Sequence, residues 1–227
     1  MQVIYDSERV YSSPTQLSAV HSLFTQPIPF LVSPRELANL QQQFQHYGAA
    51  VLGPAAIEPA LFHRLQQESQ QQYHDASWPL QSNGVKNKVN EDTQRAHLGP
   101  ISQSLMQIAG ETLVPQVTQQ QVEPGWRASC FTYYQRPGQY LGLHTDQKRD
   151  CAIALLITVD AQWNTAPGPG LQLHVYEDDT PQNLQIKITS RPNRLIILNG
   201  SQRSHQRPPL APGESVAVMC GCYRRAD

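Results

Sequence analysis

The stretch "GQYLGLHTDQKRD" (138–150) holds two side chains that bind metals, His144 and Asp146, two positions apart. If the stretch is extended, residues i and i+2 point to one face of the strand, about 6.5–7 Å apart. An imidazole nitrogen and a carboxylate oxygen each bind a transition metal at about 2.0–2.2 Å. The pair therefore indicates part of a metal site, and a third ligand has to come from another part of the chain.

His205 is the candidate for that third ligand. It lies in "LIILNGSQRSHQRPPL" (195–210), after one strongly apolar segment and before another. Two histidines and one carboxylate on one face of an iron ion leave three coordination positions open, which suits Fe(II) and the activation of O₂. Taken singly, the residues also fit a surface polar pair at 144 and 146 and a hydrogen-bonded histidine at 205.

The elements that must position these residues begin at Trp126. From there the chain consists of short segments rich in β-branched and aromatic residues, separated by Gly, Pro, Asn and Asp, which is typical of strands. These segments are "RASCFTYY", "CAIALLITV", "LQLHVY", "LQIKI", "RLIILNG" and "SVAVMCGCY".

Helical patterns precede the strands. "SPRELANLQQQFQHYG" (33–48) predicts a helix with Ser33 as N-cap, Pro34 at its first position, Glu36 three residues after the cap and Gly48 at its exit. A strand at 49–53 and helices at about 59–73 and 101–113 follow. Helices followed by strands favour an α+β protein whose second part is a sandwich or barrel.

Bulk properties exclude some partners. The chain has 227 residues and a formal net charge of −1, and its Lys and Arg form no cluster that would favour a nucleic acid. No stretch approaches the roughly 18 apolar residues that cross a bilayer, so no membrane association is expected. The four cysteines match no zinc module, which predicts reduced thiols and a cytoplasmic protein.

Residues 127–223 resemble the Fe(II)/2-oxoglutarate-dependent oxygenases of the prolyl-hydroxylase-like and phytanoyl-like branches, and residues 33–70 resemble the usual N-terminal flank of those families more weakly. The matching segments are "CFTYYQRPGQYLGLHTD", "GPGLQLHVYE", "RPNRLIILNGSQRSHQRPPL" and "ESVAVMCGCYRR". The resemblance implies one oxygenase domain over 1–227. Its core would be a double-stranded β-helix, or jelly-roll, at 126–227, and residues 1–125 would form a mainly helical flank.

The resemblance also implies that His144, Asp146 and His205 bind Fe(II), which 2-oxoglutarate chelates before O₂ reacts. Tyr134 matches a family tyrosine that lines the cosubstrate pocket. The family usually places an Arg or Lys near the start of the closing strand to hold the far carboxylate of 2-oxoglutarate, but this chain has Ser215 there. Arg207 is the first substitute candidate, because an extended segment would put it on the face of His205. Arg136, Arg224 and Arg225 are the others.

The expected reaction is hydroxylation, or a related oxidation, of an unactivated C–H bond in a small molecule such as an amino acid or a natural-product intermediate. The polar stretch 74–100 is a candidate lid, and its Trp78 and Arg95 are candidate substrate residues, with Arg95 able to pair with an anionic group. Three alternatives stay open: an iron oxygenase that does not use 2-oxoglutarate, a prolyl-type hydroxylase of protein side chains, and a non-catalytic jelly-roll that binds a ligand. The oligomeric state is not predicted.

Overall fold

Two β-sheets face each other in the computed structural model, which describes residues 2–3, 29–76 and 93–226. Four α-helices precede the main run of strands. They are α1 (Pro34–Tyr47), α2 (Pro59–His74), α3 (Pro100–Glu111) and α4 (Leu113–Thr118). The strands are β1 (Gln2–Val3), β2 (Ala49–Leu52), β3 (Gln94–Ala96), β4 (Val122–Pro124), β5 (Cys130–Tyr134), β6 (Leu141–His144), β7 (Ile153–Gln162), β8 (Gln172–Tyr176), β9 (Leu184–Thr189), β10 (Leu195–Leu198), β11 (His205–Arg207) and β12 (Ser215–Arg225).

From β5 onward the chain crosses from one sheet to the other at every connection except that between β8 and β9, which are neighbours in one sheet. The larger sheet has the order β2-β10-β7-β12-β5-β3, and the smaller sheet has the order β1-β9-β8-β11-β6. Strands β5, β7, β10 and β12 therefore belong to one sheet, while β6, β8, β9 and β11 belong to the other. The pairs between these eight strands are antiparallel. This alternation is a double-stranded β-helix, so the expected fold class, an α+β jelly-roll, is confirmed.

Helix α1 begins and ends where its sequence predicts. The Ser33 side chain accepts a hydrogen bond from the backbone N–H of Glu36, and the Glu36 carboxylate accepts one from the backbone N–H of Ser33. Gly48 ends the helix in the left-handed conformation, with φ 69°. The helix therefore delivers the chain directly into β2 at the edge of the large sheet.

Apolar side chains fill two layers. The larger cluster packs the helices against the outer face of the large sheet and includes Leu65, Met106, Leu155 and Tyr223, all fully buried. Smaller clusters lie between the two sheets and leave a cavity there. The helices thus support the large sheet from outside, while its inner face and the small sheet are free to form a site.

Several local expectations were incomplete. Segment 94–96, part of the candidate lid, is strand β3, paired with β5 at the edge of the large sheet. A short helix, α4, follows α3 and was not predicted. Most of the candidate lid, including Trp78, lies outside the described residues, so its role as a lid stays a prediction. The division into 1–125 and 126–227 also stays a prediction, although β2 and β3 show that the N-terminal part extends the large sheet.

The expectation of four reduced thiols is wrong for one pair. Cys151, just before β7, forms a disulfide with Cys222 of β12, with Cα atoms 4.7 Å apart. The two residues are distant in sequence but adjacent in the sheet, where β7 and β12 pair along nearly their whole length. Cys130 and Cys220 are free thiols.

None of the helices within 29–76 and 93–226 has both the length and the hydropathy that a membrane crossing requires.

Candidate metal centre and its cavity

His144 and His205 lie side by side on adjacent strands of the small sheet. β6 and β11 pair antiparallel with His144 directly opposite His205, and the centroids of the two rings are 4.3 Å apart. Both side chains are buried, with 8% and 6% of their surfaces exposed. Strand pairing therefore brings together two imidazoles that are far apart in the sequence.

Asp146 reaches the same point from a loop. Strand β6 ends at His144, so the extended arrangement, in which His144 and Asp146 would share one strand, is not the one that the structure has. Instead, the backbone N–H of Asp146 donates a hydrogen bond to the carbonyl of Gly200, 2.8 Å away, in the turn between β10 and β11. This contact ties the loop after β6 to the turn that leads to His205. Asp146 Oδ1 lies 3.5 Å from Nε2 of His144 and 3.8 Å from Nε2 of His205.

A backbone carbonyl oxygen fixes the orientation of each imidazole through its Nδ1 atom. Nδ1 of His144 lies 2.7 Å from the carbonyl oxygen of Gly142, and Nδ1 of His205 lies 3.1 Å from that of Arg203. A carbonyl oxygen has no proton, so each Nδ1 must be the donor and each Nε2 is directed at Asp146. Either a proton or a metal ion has to lie between Nε2 and the carboxylate.

The donor set fits a transition metal. Two atoms that each bind one ion at 2.0–2.2 Å are at most about 4.4 Å apart, and both measured distances to Asp146 Oδ1 satisfy this limit. Within the described residues, one nitrogen of each histidine and one carboxylate oxygen lie within 4.8 Å of one another. Two imidazoles and one carboxylate are the ligands that Fe(II) takes in sites with three open positions.

Electrostatics favour an ionised carboxylate at this point. Burial acts to raise the pKa of Asp146, but the neighbouring His205 and His144 outweigh it and keep the pKa below its ordinary value. Asp146 therefore carries its negative charge through the neutral pH range, in the state that binds a metal.

Gly200 leaves room for the Asp146 carboxylate. A Cβ atom at position 200 would lie 2.1 Å from Oδ2 of Asp146, far inside normal contact distance. The "LNG" turn was interpreted from the sequence only as the end of a strand. Its requirement for glycine comes from a carboxylate 54 positions earlier, which no local pattern in the sequence indicates.

The three residues lie in the wall of a cavity between the sheets, with a volume of about 620 Å³. Tyr134 and Arg207 lie in the same wall, and so does Arg95. Ser215, the first residue of β12, pairs with Gln162 of β7 and does not line the cavity. Arg136, Arg224 and Arg225 do not line it either. Of the candidate cosubstrate residues, Tyr134 and Arg207 thus line the same cavity as His144, Asp146 and His205.

Arg207 is a buried cation beside Tyr134. Its guanidinium donates hydrogen bonds to the carbonyl of Gly170 and the hydroxyl of Ser190, each 3.1 Å away, and lies 5.3 Å from the centroid of the Tyr134 ring. Burial lowers the pKa of Arg207 from its ordinary value and raises that of Tyr134. In the described part of the chain, no carboxylate oxygen lies within 4 Å of this guanidinium.

Comparison by sequence finds no matching family model and no matching curated protein. Comparison by structure gives clear matches. A prolyl-4-hydroxylase from Pseudomonas putida matches with a TM-score of 0.62 and 16% identity, covering 84% of this chain and 100% of that one.

Two other solved structures match as well. The non-heme alpha-ketoglutarate-dependent epimerase SnoN from nogalamycin biosynthesis has a TM-score of 0.63 at 8% identity, covering 85% of this chain and 82% of that one. HygX from Streptomyces hygroscopicus, solved with nickel and 2-oxoglutarate bound, has a TM-score of 0.58 at 14% identity, covering 86% and 87%. The fold is that of the 2-oxoglutarate/Fe(II) oxygenases. At these identities the likeness establishes the fold, and function has to be argued from the site.

Proposed function

We propose that this protein is an Fe(II)- and 2-oxoglutarate-dependent dioxygenase that hydroxylates, or otherwise oxidises, an unactivated C–H bond of a small molecule. The observation that carries the proposal is the convergence of His144, Asp146 and His205 on one point in the wall of a 620 Å³ cavity. A cavity of this size is in the range of small-molecule sites.

The three residues would hold the ion, each with a defined task. Asp146 supplies the negative charge, and the two histidines supply neutral nitrogens whose direction is fixed by the carbonyls of Gly142 and Arg203. When bound, Fe(II) with 2-oxoglutarate and O₂ would supply the oxidising power for this chemistry, with succinate and CO₂ as the co-products. The cavity wall keeps bulk water away from the reacting bond, and its side chains orient the substrate.

Arg207 supports 2-oxoglutarate as the cosubstrate. A buried guanidinium without a carboxylate partner is costly, and an anionic ligand removes that cost. Arg207 lies two residues after His205 on the same strand, and both side chains line the cavity. Its position suits one end of a diacid whose other end is at the metal. Tyr134 lies against Arg207 and would donate its hydroxyl hydrogen to the same carboxylate.

The alternatives are less well supported. An iron oxygenase without 2-oxoglutarate leaves the charge of Arg207 without a role. A non-catalytic jelly-roll gives no reason for two imidazoles and a carboxylate to converge at 3.5–3.8 Å. A prolyl-type hydroxylase of protein side chains has the same metal centre, and substrate assays have to separate it from a small-molecule enzyme. An amino acid or natural-product intermediate as substrate, and a cytoplasmic location, stay predictions.

The test has two steps. Anaerobic addition of Fe(II) and 2-oxoglutarate should produce a visible charge-transfer absorption band that Asp146→Ala abolishes. Air should then release succinate in proportion to an added substrate, screened first among amino acids and then among proline-containing peptides. A colourless sample would contradict the metal and cosubstrate assignment, and oxidation of a substrate without succinate would favour an oxygenase that does not use 2-oxoglutarate.

A further inference from the structure

Arg95 is a cavity cation that the metal and cosubstrate roles leave unused. It lies on β3 directly opposite Thr132 of β5, and Thr132 lies opposite Val218 of β12. All three side chains line the cavity, as expected for cross-strand neighbours on one face of a sheet. The added edge strand β3 therefore extends the inner wall of the jelly-roll by one residue, and that residue is a cation.

The backbone of Arg95 is held by its pairing with β5, and the segment that follows it is anchored by a buried carboxylate. The Glu68 carboxylate of α2 accepts hydrogen bonds from the backbone N–H groups of Ile101 and Ser102, 2.6 and 2.9 Å away, at the start of α3. This contact anchors the connection from β3 into α3. Arg95 lies near enough to the site for its charge to act on the pKa of Asp146 and of Tyr134.

The guanidinium of Arg95 has unused hydrogen-bonding capacity. Its Nε atom is buried and has no hydrogen-bond partner, although buried polar groups in proteins are normally paired. In the described part of the chain, no carboxylate oxygen lies within 4 Å of its nitrogens. Nε together with one terminal nitrogen forms the fork that binds a carboxylate through two parallel hydrogen bonds.

Among the described side chains that line the cavity, positive charges outnumber negative charges, which also favours an anionic ligand. With the proposed ligands present, the two positive charges of Fe(II) and that of Arg207 are matched by Asp146 and the two carboxylates of 2-oxoglutarate. Among the remaining side chains that line the cavity in the described ranges, 29–76 and 93–226, Arg95, Arg127 and Arg149 are accompanied by one carboxylate, Asp150. Arg127 and Arg149 are exposed at the rim, and Arg95 is half-buried. Over the described lining residues the remaining charge is therefore positive.

We propose that Arg95 binds a carboxylate of the substrate and that the two rim arginines draw such anions into the cavity, so that the enzyme acts on a small carboxylic acid. This inference rests on the proposed oxygenase function and specifies its substrate class. The carboxylate is held at Arg95, in the wall that the metal ligands and Arg207 also line, and the rest of the substrate extends into the cavity near the metal. Arg95 is then a specificity residue, separate from metal and cosubstrate binding.

The experiment measures binding rather than turnover. Protein loaded with redox-inert Zn(II) and saturating 2-oxoglutarate is screened by ligand-observed NMR against pairs of small carboxylic acids and their primary amides, with the matching phosphate monoesters in a third arm. The same screen is run on Arg95→Gln and on Arg224→Gln. The second variant is the charge-matched control, because Arg224 pairs with Glu123 at the surface and does not line the cavity.

Acids should bind wild-type protein at least tenfold more tightly than their amides. Arg95→Gln should lose that preference while keeping wild-type affinity for Zn(II) and 2-oxoglutarate, and Arg224→Gln should keep it. Equal binding of acids and amides, failure of every acid to bind, or a preference for phosphates would overturn the inference. A fall in Zn(II) or 2-oxoglutarate affinity in Arg95→Gln would also overturn it, since Arg95 would then serve the metal centre. If wild-type protein binds neither Zn(II) nor 2-oxoglutarate, the proposed function fails, and the acid preference is then read independently on metal-free protein.

Discussion

Gly200→Ala should weaken metal binding although residue 200 binds no metal. The new Cβ would lie 2.1 Å from Oδ2 of Asp146, whereas nonbonded carbon and oxygen atoms rarely approach closer than about 3.2 Å. The carboxylate must therefore move by about 1 Å. Metal–ligand bonds tolerate about 0.2 Å, so the displaced carboxylate cannot keep its place among the ligands.

The loss of metal affinity expected for Gly200→Ala lies between two limits. Disturbing the groups that orient a ligand typically costs 10- to 100-fold in metal affinity, and removing the ligand with Asp146→Ala sets the larger limit. We expect Gly200→Ala to lose at least tenfold, or about 1.4 kcal/mol. Titration with Co(II) against a competing chelator measures the affinity, and thermal unfolding checks that the variant is folded.

Two controls isolate the steric cause. Ser201→Ala removes a buried hydroxyl that has no hydrogen-bond partner, so it should keep wild-type metal affinity. In an Asp146→Ala background, Gly200→Ala should have almost no further effect on affinity, because the group it displaces is already gone. Wild-type affinity in a folded Gly200→Ala protein, or additive losses in the double variant, would refute this reasoning.

Three further predictions concern other parts of the cavity and the sheets. Arg207→Gln should weaken 2-oxoglutarate binding at least 100-fold, because a bidentate charge-assisted contact contributes about 3 kcal/mol, and Arg207→Lys should retain part of the wild-type affinity. Calorimetry on the Zn(II) form measures the affinity of each protein for 2-oxoglutarate. Equal affinities of the wild-type protein and Arg207→Gln would contradict the role assigned to Arg207. Reduction of the Cys151–Cys222 disulfide, which links residues 71 positions apart, should lower the free energy of unfolding by about 2–4 kcal/mol. If a reductant leaves the melting temperature unchanged, the two thiols are not joined. Burial lowers the pKa of His174 to about 4, so on acidification the unfolded chain binds this proton before the folded chain does, and the free energy of unfolding should fall as the pH drops from about 6.5 to 4. His174→Gln should reduce that fall by about 1–2 kcal/mol. An unchanged fall, measured by denaturant titration at several pH values, would contradict this prediction.

Local rules predicted the parts of the fold that depend on local structure. The start and end of α1 follow from Ser33, Glu36 and Gly48, whose hydrogen bonds and backbone angles involve neighbours a few positions away. The strand segments after Trp126 were predicted for a similar reason, since alternation and composition mark a strand without knowledge of its partner. The three proposed metal ligands were found because the spacing of His144 and Asp146 and the apolar strand before His205 are visible in the sequence.

The features that were missed depend on contacts between distant segments. The place of Asp146 is set by a hydrogen bond to Gly200, and not by a strand shared with His144. The disulfide depends on the register of β7 against β12. Arg95 was assigned to an irregular stretch because three residues of an edge strand carry too little pattern to be recognised alone. Sequence periodicity reports one segment at a time, whereas each of these features needs two segments in register.

The most direct test of the central claim is an anomalous difference map from crystals grown with Fe(II) under anaerobic conditions and measured at the iron edge. A single peak within about 2.2 Å of Nε2 of His144, Nε2 of His205 and an oxygen of Asp146 is the predicted result. A map with no iron between these three side chains, or with iron bound elsewhere in the chain, would contradict the account.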